Sequence, residues 1–329
     1  MLSALSRFFF LAAGVVVLTF VVPRALPGEP IEGLGDTGAA NVRILPEEAR
    51  RALRTYYELD RPLIIQFGRY LIRLAHLDLG VSYSLHRPVR AIIRERLPYT
   101  LALVGTSLVV SAMAGIALGV LSAWRAGSGL DRWLVNGLLG IGALPEFLVG
   151  LILIVSFAVS WPVLPAGGSA TPFLSLDTPG GVAQLWDRFK HFVLPLCTLT
   201  LASLPHFFYL TRNATVPVLD APYLVAARAK GLGERRLAAR HAAPSALLPV
   251  VSLLGIRIAF VAGGALIVER LFNYPGVGLL MVQAVWSRDY PVLEGCFLLL
   301  SLSVLTANLC VDAILGRVDP RIQGAGPWA

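Results

Sequence analysis

Six long apolar stretches punctuate the chain, at 8–22, 98–124, 134–161, 191–211, 246–268 and 292–314. None alternates with the two-residue period of a barrel strand. Most approach or exceed the roughly 20 residues a helix needs to cross a hydrocarbon core of about 30 Å. Lipid leaves backbone polar groups no partner except each other, so spanning segments are helices or closed barrels. The pattern therefore predicts an all-α polytopic membrane protein with six transmembrane helices.

Several stretches carry internal marks. The first is short enough to resemble a secretory signal, but no A-x-A site follows it, and it reads as an uncleaved span flanked by Arg7 and Arg24. In the second, Ser107, Ser111, Gly115, Gly119 and Ala123 recur every four residues. That spacing puts five small side chains on one face, a surface for close helix–helix approach. Pro145-Glu146 interrupts the third stretch, and Pro195 and Pro205 predict kinks in the fourth.

The polar segments set the organisation. Residues 1–97 comprise the first helix and a long extracytoplasmic segment, with helical patterning at 46–57 and 62–74 and turns at 59–62 and 78–82. Residues 98–316 form a five-helix core, interrupted by a loop at 125–133, a Gly/Pro/Ser-rich loop at 162–190, a basic loop at 212–245 and a turn-rich segment at 270–291. A tail, 317–329, follows. Arginine and lysine gather in short cytoplasmic loops. With Arg7 inside, the loops at 125–133 and 212–245 and the tail all fall on the cytoplasmic side, and both termini are expected there.

Composition supports this picture and removes others. Only 15% of residues are charged, against about a quarter in a soluble domain. The net charge of +8 reflects loop arginines in contact with membrane lipid and gives no reason to expect a nucleic-acid partner. Cys197, Cys296 and Cys310 lie inside apolar stretches without paired or metal-type spacing, and the five histidines are scattered. The chain offers neither metal ligands nor a nucleophile–base set, so no catalytic residues are assigned and an intramembrane hydrolase is disfavoured. It also lacks the G-x-x-x-x-G-K-[ST] loop needed to bind and split ATP, and no cofactor is expected on it.

Six of the 28 basic residues lie between Arg212 and Arg240, where an Ala-rich helical pattern separates two apolar stretches. This loop resembles the cytoplasmic EAA loop of ABC importer permeases: E-A-A, three residues, Gly, nine residues, I-x-L-P. Ala226, Ala227, Gly231 and Pro244 match in register. Val225, His241 and Ala243 depart from the Glu, Ile and Leu of that pattern.

Further stretches resemble the dipeptide/oligopeptide/nickel branch of those permeases. They include Leu26-Pro27-Gly28-Glu29-Pro30, Leu59-Asp60-Arg61-Pro62, Leu97-Pro98-Tyr99-Thr100-Leu101, Pro275-Gly276-Val277-Gly278, Arg288-Asp289-Tyr290-Pro291 and Asp319-Pro320-Arg321-Ile322. The resemblance implies a type I ABC importer permease fold in a bacterial inner membrane. It implies a second permease, two ABC ATPase subunits that use ATP and Mg, and an extracytoplasmic solute-binding protein. The implied cargo is di- or oligopeptide, with nickel or a metal chelate as the alternative within the branch.

In that frame Arg228, Lys230, Arg235, Arg236 and Arg240 are candidates to pair with acidic groups of the ATPase around its docking groove. Glu146 and Arg257 are intramembrane charges, which are costly in lipid and usually face a partner or a wet cavity. Each lies about a dozen residues from the cytoplasmic side, roughly 18 Å deep at 1.5 Å per residue. They are candidates for a structural pair or for the translocation path. Glu269, in Val268-Glu269-Arg270-Leu271-Phe272, is a candidate for the outer mouth or for a helix cap with Arg270. An ATP-independent secondary transporter is the reading from another class; it often shows inverted repeats, and none is visible here.

Overall fold

The computed structural model describes residues 2–25, 60–172, 181–219 and 265–318, together with residues 51, 221–222, 229, 233, 250, 253–255, 257–258 and 261. Among these residues the elements are helical, apart from an isolated antiparallel bridge between Val81 and Pro88. They are α1 (Leu2–Ala25), α2 (Leu63–Ala75), α3 (Val89–Trp124), α4 (Gly129–Gly142), α5 (Glu146–Ile154, continued in wider π winding over Val155–Ser160), α6 (Val182–Leu219), α7 (Leu266–Leu271), α8 (Val277–Trp286) and α9 (Tyr290–Val318). Among the described residues four helices are long and apolar enough to cross a membrane, or five when the bent α4–α5 pair is taken as one broken span. The expected span at 246–268 falls largely outside the described residues, as does the helical patterning at 46–57 apart from Arg51.

Helix ends differ from the apolar runs in two places. α3 begins at Val89 rather than at the expected Pro98. Its first turns carry Arg90, Arg94, Glu95 and Arg96, which break the apolar run, but Val89, Ile92 and Ile93 at helical spacing are buried in a cluster with Val277, Leu280, Met281, Leu293 and Cys296. Packing of that stripe holds the polar turns helical. α6 starts at Val182 and runs to Leu219, longer than the expected span at both ends, with Pro195, Pro205 and Pro217 inside it. The third span breaks where Pro145 removes a backbone donor, and its two halves meet at 96°.

The described chain divides into two compact units. The first holds 1–100, 262–266 and 275–306 around the cluster just described. The second holds 101–261, 267–274 and 307–329. In it Leu134 and Leu138 of α4 pack with Leu204 and Phe208 of α6. The small-residue face of α3 lies against α6, as its spacing predicts. A Cβ on Gly115 would come within 2.5 Å of the Phe207 Cβ, and one on Gly119 within 2.8 Å of the Thr211 Cβ and 2.9 Å of the Phe208 carbonyl oxygen. Gly119→Leu is expected to destabilise the protein by about 1–3 kcal/mol, the usual cost of overpacking. A thermal melt in detergent checks this, and an unchanged Tm would contradict so close an approach.

Candidate functional site

Three polar clusters stand out from the apolar frame. The first lies at the end of the second unit from which the 212–245 loop departs. Ser128 begins α4 by accepting a hydrogen bond from the Asp131 backbone N–H at 3.2 Å, an ordinary N-cap. That turn directs the Asp131 carboxylate inward. The Arg212 guanidinium donates to it through Nε at 2.8 Å and Nη2 at 2.9 Å, a bidentate pair. The Ser122 hydroxyl and the Gly127 N–H complete its shell.

The Asp131 side chain is 5% exposed and that of Arg212 23%. These two residues flank the apolar stretches rather than lie within them. The Arg212 guanidinium holds the Asp131 carboxyl well below the usual carboxylate range, with the Ser122 and Gly127 hydrogen bonds adding to the effect and burial opposing it. One buried carboxylate thus ties together the end of α3, the start of α4 and the last turns of α6. The sequence reading did not single out Asp131 or Ser122. The S-x-x-D spacing at Ser128–Asp131 was the available signal, and it marks only a helix start.

The second cluster is at the break in the third span. Glu146 opens α5, and Arg257 lies in the partly described stretch at 246–268; both are partly buried. The Arg257 charge is near enough to act on Glu146 electrostatically. No ion pair within 4 Å joins them among the described residues, so the two charges are neighbours rather than a closed salt bridge. α5 is seated tightly, because a Cβ on Gly150 would come within 2.5 Å of a Leu271 methyl.

The third group has one part in each unit. In the first unit the buried Asp289 carboxylate accepts from the Ser82 hydroxyl at 2.5 Å, the Ser84 N–H at 3.0 Å and the Ser84 hydroxyl at 2.7 Å, fastening the 82–84 turn to the start of α9. Arg24, at the end of α1, pairs with Glu294 of α9 and lies 3.6 Å over the Phe20 ring.

In the second unit the Gly168 N–H donates to the Phe272 carbonyl oxygen at 2.7 Å, and Asp187 accepts from the Thr171 hydroxyl and N–H. Glu269 lies here on α7, with its side chain fully buried inside the chain. Of the coupling-loop residues, Ala226, Ala227, Arg228, Lys230, Gly231, Arg235, Arg236, Arg240 and Pro244 lie outside the described residues. Among the described residues no three His, Cys, Asp or Glu side chains gather as a metal site would require.

Residues 115–324 match the family described as the binding-protein-dependent transport system inner membrane component, and the chain belongs to that family. It is 33% identical over 312 residues to the oligopeptide transport system permease protein AppB of Bacillus subtilis (strain 168), across 94% of each chain. It is 34% identical over 316 residues to the glutathione transport system permease protein GsiC of Salmonella paratyphi A (strain ATCC 9150 / SARB42), again across 94% of each.

Among solved structures, an inward-facing form of the MetNI methionine ABC transporter aligns with a TM-score of 0.54 and 18% identity, over 70% of this chain and 97% of that one. At that identity the likeness is one of fold. The all-α polytopic fold expected from the apolar pattern therefore stands, as does the permease fold implied by the resemblance, and the chain is a multi-pass inner-membrane transport component.

Proposed function

We propose that this chain is the permease subunit of an ATP-driven importer for di- or oligopeptides. The observation that supports this most is the similarity to peptide-type permeases over nearly the whole length, including the long segment between the first two spans. In this reading the chain lines the pathway with a second permease. Two ABC ATPases, using ATP and Mg, grip the 212–245 loop from the cytoplasm, and an extracytoplasmic binding protein delivers cargo to the outer face. Both termini are cytoplasmic, so the clusters around Asp289 and Phe272 face outward and the Asp131–Arg212 pair faces in.

The chain itself supplies position and charge, while hydrolysis belongs to the partners. The substrate class is read most directly from the ligand carried by the cognate binding protein, by native mass spectrometry. Peptides are expected there; nickel or a metal chelate would overturn the peptide reading.

Glu146 and Arg257 are assigned to the pathway. Two opposite charges held apart at a helix break suit a wet route for a zwitterionic cargo, because buried charges require a partner or water. Reversing either one, Glu146→Arg or Arg257→Glu, puts like charges side by side in a medium of low polarity. Each single reversal is expected to lower uptake at least tenfold, on the order of 1.4 kcal/mol or more. The double reversal is expected to restore assembly. Normal assembly and transport in all three variants would remove both residues from the account.

A further inference from the structure

In the polar segment between the first two spans, α2 carries an apolar side that none of the described residues covers. Around α2, residues 67, 70 and 74 face α1, and residues 64, 68, 71, 72 and 75 follow on the adjoining arc. The inner arc is occupied. The Phe67 ring lies edge-on to Phe20 at 5.1 Å, the Tyr70 hydroxyl is 3.0 Å from the Thr19 hydroxyl, and Arg24 Nε donates to Gln66 Oε1 at 3.3 Å. The adjoining arc is as apolar but open: Ile64 is 76% exposed, Ile72 62% and Leu71 40%. Arg69 and Arg73 lie on the third side.

These contacts seat α2 against the last turns of α1, between Thr19 and Arg24. At that level α1 exposes Leu18, Val21 and Val22. This stretch of α1 belongs to a transmembrane span, so its open apolar side chains meet lipid. The open arc of α2 continues the same surface. A soluble segment does not ordinarily place so contiguous an apolar strip in water, whereas a helix with apolar and basic sides lies in a membrane interface.

We propose that α2 is a membrane-embedded interfacial helix, seating Ile64, Leu71 and Ile72 among the acyl chains beside the C-terminal end of the first span, with Arg69 at the headgroups. This is the outer leaflet in the topology proposed above. The occupant of the open arc is lipid, rather than a binding protein or a second subunit.

Site-directed nitroxide labelling tests this in the full chain within its assembled complex. The background is one in which Cys197, Cys296 and Cys310 are replaced and transport is retained. Ile64→Cys, Ile72→Cys and Arg69→Cys are labelled separately in nanodiscs of phosphatidylethanolamine and phosphatidylglycerol. Collision with oxygen, which partitions into lipid, is compared with collision with a water-soluble nickel chelate. At 64 and 72 oxygen is expected to be favoured several-fold over its ratio at 69. Equal ratios at all three positions would overturn the proposal, and so would exclusion of both reagents from 64 and 72, which means a protein cover. Nanodisc reading does not depend on which leaflet is outer, so a failure here is separable from an error in the topology.

Discussion

Replacing Gly231 with tryptophan is expected to abolish ATP-driven uptake while leaving the protein at normal levels in the membrane. Gly231 sits four residues after Ala227, in the register at which the EAA-type loop carries its glycine. In the proposed reading, the small residues Ala226, Ala227 and Ala229 of this sequence would let a partner's groove close on the loop. Glycine also allows the chain to turn where a Cβ would resist it. An indole at that point would add a large side chain where the proposed partner approaches.

The expected loss is in coupling, not in folding, because the spans on either side are unaltered. Co-purification with the ATPase subunits and ATP-driven uptake read the two consequences separately. Normal association and normal uptake would remove the loop from the centre of this account.

The second large effect is expected at Arg212, at the root of the same loop. Arg212→Ala leaves the Asp131 carboxylate, 5% exposed, with only the Ser122 hydroxyl and the Gly127 N–H as partners. Removing one member of a buried ion pair costs about 3–5 kcal/mol, because the other charge remains desolvated. The partial exposure of Arg212 puts the expectation toward the lower end.

Such a loss is a large part of the stability of a typical domain, about 5–15 kcal/mol. Little folded protein should therefore reach the membrane, and what does should melt early. Combining Asp131→Asn with Arg212→Gln removes both charges and keeps hydrogen-bonding groups in place, so it should recover much of the loss. Stabilities that simply add across the two sites would show that the pair is not coupled.

How far these sites were legible in the sequence depended on whether the controlling physics was local. The described spans were, because lipid demands runs of apolar residues. The break at Pro145 was, because a missing backbone donor acts within one turn. Its angle was not, since it depends on what α5 packs against, including Leu271 and Thr198 around Gly150. The five small residues of α3 were legible as a face, and that face meets Phe207, Phe208 and Thr211.

Helix starts were obscured at Val89, where four charged residues hid a buried stripe, and at Val182, where Asp187, Arg188 and Lys190 made a helix resemble a loop. The Asp131–Arg212 pair could not be read at all, because its members are 81 residues apart and nothing local predicts their meeting. Glu269 was placed by its motif, but only the packing around α7 shows that its carboxyl is enclosed within the chain.

The most direct test of the account is purification of this chain with its neighbours, followed by uptake in proteoliposomes. The account predicts that it co-purifies with a second permease and with subunits carrying a phosphate-binding G-x-x-x-x-G-K-[ST] loop. It also predicts that peptide enters only when ATP and loaded binding protein are both supplied. A chain that extracts by itself and drives uptake without ATP would contradict it.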